Sequence, residues 1–136
     1  MAADNANDAP NGQDGPAYLS VEAILSAPDT PEEVLFIKQW NGSVKIKGLT
    51  KRQQVDIRNR AMREGPEPDP EWVQRYMWLE AVIEPRFTEE QLGALFEKNA
   101  GAVDHVLSRV LFLSGMDQEA IKRREATFPP GTVRPV

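Results

Sequence analysis

A chain of 136 residues, 40% of them hydrophobic, can fill one modest core and holds one domain. The absence of cysteine excludes disulfides, cysteine-type zinc sites and a cysteine nucleophile, and a single histidine leaves little for His-based catalysis. The net charge of −5 is unevenly spread: residues 1–33 carry seven acids and no Lys or Arg, residues 38–63 carry eight bases against Asp56, and residues 64–104 carry ten acids and three bases. Such a charge dipole suits partner steering or self-association better than general nucleic-acid binding.

Residues 1–17 are small, polar or proline, and cannot bury enough surface to offset their ordering entropy, so they are expected to be a disordered tail. No basic region followed by an apolar core is visible there, and no apolar run reaches the length of a membrane span. The expectation is a soluble protein of the cell interior. Ser20 is placed to cap a short helix carrying Val21, Ile24 and Leu25, ending near Pro28.

Residues 34–40 and 43–48 flank Asn41-Gly42, the dipeptide favoured where both central residues of a hairpin turn need positive φ. A two-residue turn sets Ile37 opposite Ile46 and Leu35 opposite Gly48. Leu35, Ile37, Val44 and Ile46 then share one face, and Lys38, Lys45, Lys47, Phe36 and Trp40 share the other. A hairpin alone is marginal, so it must lie on helices or join another strand. Phe36 and Trp40, on the face away from the core, either pack under a second layer such as the N-terminal helix or form an exposed patch, and packing is the expectation.

Thr50 and Gln53 fit a capping box at the head of a helix over about 51–63, which Gly65-Pro66 ends. Its few apolar residues and many bases predict a surface helix with a basic outer side. The densest stretch follows, DPEWVQRYMWLEAVIEPRF, with Asp69 as N-cap, Pro70 at the first helical position and Pro85 as the stop. Trp72, Tyr76, Leu79 and Ile83 lie in one narrow band of that helix, expected over 70–84. Val73, Met77, Trp78 and Val82 widen the band, as the central post of a core requires.

Beyond Pro85, Phe87, Thr88, Gln91 and Leu92 combine a capping box with a staple for a helix over 89–98. A helix over 102–114 carries Val103, Val106, Leu107 and Val110, and Gly115 closes it. A last helix over 118–126 and a tail over 128–136 complete a single body spanning 18–127. The class is α+β: a bundle of four to five helices with one N-terminal β-hairpin.

No phosphate loop, Walker motif or nucleophile elbow is present. His105 reads as a surface or rim residue beside an apolar stripe. Glu80 and Glu84, four apart, could chelate a cation, but an Arg or Lys from a neighbouring helix is the expected partner. The basic segment over 38–63 raises duplex DNA as a ligand, and the acids elsewhere set it aside. No enzyme, cofactor or metal is expected. The rings expected to meet a partner are Phe36, Trp40, Trp78 and Phe112, the last two lying off the main stripes of their helices.

The order of elements, YLSVEAILSA, FIKQWNGSVKIKGLT, TKRQQVDIRNRAM, then FTEEQLGALFEKNAGAVDHVLSRVLFLSGM, resembles small tail assembly chaperones of long-tailed bacteriophages and prophages over about residues 18–116. The resemblance implies a non-catalytic protein that binds the tape measure protein and keeps it soluble in the host cytoplasm. It also implies absence from the mature virion, and a frameshifted longer form that recruits tail tube protein. A minor tail or head–tail connector protein is the alternative, and a small DNA-binding regulator stands behind it. Self-association is a further expectation from the opposed charges; a membrane partner is not.

Overall fold

The computed structural model describes residues 17–117. All but the last residue of the expected disordered tail over 1–17, the helix over 118–126 and the tail over 128–136 lie outside them. Helix α1 spans Val21–Ser26, strands β1 and β2 span Glu32–Ile37 and Gly42–Lys47, and helix α2 spans Lys51–Arg60. Helix α3 spans Pro70–Ala81, strand β3 Val82–Glu84, the short helix α4 Leu92–Leu95 and helix α5 Ala100–Leu113. The described residues are α+β: these helices lie with one antiparallel sheet in the order β1-β2-β3.

The helix starts follow the capping chemistry. The Thr50 hydroxyl accepts from the Gln53 N–H at 3.1 Å, and the Gln53 side chain accepts from the Thr50 N–H at 2.9 Å. Asp69 accepts from the N–H groups of Glu71 and Trp72, and Pro70 opens α3. Asn99, expected near the end of one helix, caps the start of the next, accepting from the Ala102 N–H at 3.0 Å. At the far end of α5, the N–H groups of Gly115 and Met116 donate to the carbonyls of Phe112 and Leu111, with Gly115 at φ 71°. That paired arrangement needs the left-handed residue glycine supplies.

The hairpin departs from the two-residue turn. Ile37 pairs with Gly42 and Leu35 with Val44. Lys38–Trp40 form a single 3-10 turn, and Asn41 alone takes positive φ, at 50°. The slip is even, so the same four residues still face inward. What changes is Trp40: it leaves the lysine face and turns its ring edge to Trp78, centroids 6.2 Å apart. The second departure is β3. The central helix stops at Ala81, and Val82–Glu84 pair with β2 instead. Val82 and Ile83 are β-branched, and Glu84 precedes Pro85, which disfavours helical φ and ψ there. Helix α2 stops at Arg60, and the segment expected as a helix over 89–98 is a 3-10 turn over Glu89–Gln91 followed by the one turn of α4.

The core lies between the inner sheet face and the helices. Ile37, Ile46 and Val82 meet Tyr76, Met77, Trp78 and Ala81 of α3, and Val103, Val106, Leu107 and Val110 of α5. Helix α5 lies on β1 and β2 and also on α3, and α2 flanks α3.

The Arg109 guanidinium ties α5 to β1 through a forked pair with Glu33, at 2.9 and 2.5 Å. That hydrogen bond holds the Glu33 carboxyl below the usual carboxylate range, against a smaller opposing effect of burial. A carboxyl lowered by folding stabilises above its unfolded pKa and loses that contribution as pH falls through the folded value. Both side chains are partly exposed, so screening holds the expected contribution to about 0.5–1 kcal/mol. Urea midpoints should therefore fall between neutral and strongly acidic pH, and Glu33→Gln should lower the neutral midpoint while flattening that dependence.

Candidate functional site

A concave, largely apolar groove of about 560 Å³ is lined by Trp40, Pro85, Arg86, Phe87, Gln91, Ala94, Leu95 and Lys98. Three parts of the chain build it. The 3-10 turn of the hairpin delivers Trp40, the segment after β3 delivers Pro85 to Phe87, and α4 with its flanks delivers the rest. Its position depends on Trp78 below: the Phe87 and Trp40 rings each meet Trp78 in a T-shaped contact, with centroids 5.5 and 6.2 Å away. Two aromatic edges on one buried indole are favourable quadrupole contacts, and they fix both rings as groove wall. Gln91 also accepts from the Thr88 N–H at 2.9 Å, which steadies the entry to α4.

The polar groups on the groove are Gln91 and the cations Arg86 and Lys98, with no carboxylate, imidazole or hydroxyl among the lining residues. Among the described residues no group of His, Cys, Asp and Glu is arranged to hold a metal. His105 is exposed. Glu80 accepts from Gln53 at 3.2 Å and lies 3.7 Å from Arg60, while Glu84 sits on β3 opposite Lys45, so the two acids do not face a common ion.

The four rings expected to meet a partner are dispersed. Trp40 lines the groove. Trp78 is 0% exposed, so it serves as foundation and cannot touch a partner while the protein is folded. Phe36 stands on the outer sheet face, more than half exposed, contrary to the expected packing under α1, whose own residues are all exposed. Phe112 lies at the surface on α5 with the Arg109 guanidinium 4.5 Å from its ring centroid. Phe87, Leu95 and Ala94 went unremarked as groove residues in the sequence, where Phe87 read as a helix staple.

Two arginines, at the end of α2 and just beyond it, are engaged within the molecule. Arg60 covers the Tyr76 ring at 4.2 Å and pairs with Glu80 and Glu89, and Arg63 covers Trp72 at 4.1 Å. Arginines held on rings and carboxylates are poorly available to phosphates. Among the described residues no helix is long and apolar enough to cross a membrane. No protein family, curated protein or solved structure matches this chain.

Proposed function

We propose that this protein works without catalysis, by holding the apolar stripe of another polypeptide's helix, and that it does so as a phage tail assembly chaperone for the tape measure protein. The observation that supports this reading most is the groove of Trp40, Phe87 and Leu95 with Arg86 and Lys98 among its lining. A helix bound in a groove anchors through side chains at i, i+3, i+4 and i+7, and its flanking acids find the cations. A tape measure helix has such stripes exposed until tube subunits enclose it, and binding them would suppress aggregation. The chaperone would act in the bacterial cytoplasm and leave before the particle is complete, with a longer form bringing in tube protein.

Co-expression with the phage's tape measure gene should raise the soluble yield of that protein and co-purify the two. Ala94→Arg lays a long side chain across the groove from an exposed position, and is expected to weaken the complex by about tenfold or more without lowering the melting temperature. No gain in solubility and no co-purification would overturn the reading. Finding the protein in purified virions by mass spectrometry would favour a structural tail component instead.

A further inference from the structure

The groove carries its charge at its two ends. Gln91, Ala94, Leu95 and Lys98 share one face of a nearly continuous helical run, because the N–H groups of Glu97 and Lys98 donate to the carbonyls of Ala94 and Leu95 just past α4. The Thr88 N–H, held by the Gln91 side chain, keeps the Pro85–Phe87 segment at the start of that run, and Arg86 with it. The Leu79 carbonyl accepts from Arg86 Nη1 at 3.5 Å, which positions the guanidinium without neutralising it. Lys98 closes the other end, where Gln39, the neighbour of Trp40 in the hairpin turn, reaches Asn99 at 3.4 Å. By helical rise the two ends stand about 15 Å apart, close to three turns of a bound helix.

The acids of this region are turned elsewhere. Glu89 pairs with Arg60, Glu84 sits opposite Lys45 on the sheet, and Glu97 lines a separate hollow with Arg75 and Phe96. Glu90 is exposed and is not among the lining residues, so the charges that line the groove are both positive. We infer that the groove selects a helix whose apolar stripe is short and closed at each end by a carboxylate, the two acids about eleven residues apart on the same face. The inference rests on the helix-binding reading of the groove given above, and adds to it the charge pattern and footprint of the occupant. A stripe closed by lysines sets like charges against Arg86 and Lys98, and one closed by neutral residues leaves both cations without partners. A long helical client is therefore held at separate acid-bounded sites of roughly a dozen residues each, rather than uniformly along its length.

Three helical peptides of about 18 residues test this. All carry leucines at i+3, i+4, i+7 and i+8, and they differ only in having Glu, Gln or Lys at both i and i+11. By fluorescence anisotropy with the full chain, the Glu-ended peptide should bind about tenfold more tightly than the Gln-ended one, and the Lys-ended one more weakly still. High salt should erase the difference and keep the binding that the leucines provide. Lys98 is exposed and outside the core, so Lys98→Glu should leave the fold intact. It should weaken the Glu-ended peptide about tenfold and make a peptide with Glu at one end and Lys at the other the tightest binder, a reversal that loss of folding cannot produce. Equal binding of all three peptides would overturn the inference and leave helix binding in the groove standing. Binding of none of them by a folded chain would overturn both. A Lys98→Glu chain that still prefers Glu at both ends would show the acids meeting another surface, and would overturn the inference alone.

Discussion

Replacing Trp78 with alanine is expected to lower folding stability by about 3–5 kcal/mol. That is a large share of the roughly 5–15 kcal/mol available to a domain of this kind. The side chain is fully buried and touches both Trp40 and Phe87 edge-on, so its removal opens a void that two groove residues would fall into. The groove should therefore collapse along with the core. A phenylalanine at the same place should behave differently. The Trp78 indole N–H is buried with no hydrogen-bond partner among the described residues, and an unsatisfied donor costs about 1–3 kcal/mol. Trp78→Phe removes that burden while leaving a smaller void, so its expected cost is about 1 kcal/mol or less. Urea denaturation of the two variants measures the contrast. A phenylalanine variant as damaged as the alanine one would show that the indole N–H is bonded in solution.

Much of this fold can be read from residue types that act on their immediate neighbours. Asp69 before Pro70, Thr50 before Gln53 and Gly115 after α5 each satisfy or release backbone groups within a few residues, so their positions hold regardless of tertiary context. The α5 stripe holds for a similar reason, since the spacing of Val103, Val106, Leu107 and Val110 admits one face only. Long-range choices were not legible. The run Ala81 to Ile83 is apolar whether it continues a helix or leaves as a strand, and the open edge of β2 decided it. Asn41-Gly42 allowed a tight turn, but the longer one lets Trp40 reach Trp78, thirty-eight positions later.

The same distinction explains the candidate site. Trp40 stood out because it broke the alternation of its strand, and it does reach the groove. Trp78 stood out as a ring off its helix's main stripe, but the sheet, the hairpin tip and Phe87 enclose α3 on more than one side. Off-stripe position marks exposure only for a helix covered on a single face. The groove itself joins segments brought together by β3 and by the loop after it, and periodicity carries no record of that junction.

Gly48→Ala is expected to be the most damaging single-methyl change in the molecule, at about 2–4 kcal/mol, and the reason is space rather than backbone freedom. A methyl at Gly48 would stand 2.7 Å from the carbonyl oxygen of Leu113 and 3.1 Å from its carbon. Neither atom belongs to a side chain that could swing away. The end of α5 is stiffened by the Gly115 cap, and it is joined to the exit of β2 by the Leu49 N–H, which donates to Ser114 Oγ at 2.8 Å. Ser114 Oγ in turn donates to the Val110 carbonyl at 2.7 Å. Pushing Leu113 aside therefore breaks the Leu49 bond and loosens the contact of α5 with the sheet together. Ser114→Ala alone should cost about 1 kcal/mol by leaving the Leu49 N–H without its acceptor. Added to Gly48→Ala it should cost much less, because the bond it removes is already lost, and that non-additivity in a double-mutant cycle separates this mechanism from general strain. A Gly48→Ala chain within about 0.5 kcal/mol of the parent would mean that the α5 terminus slides freely over β2. The sheet would then be held to the helices by the Glu33–Arg109 pair and the buried residues alone.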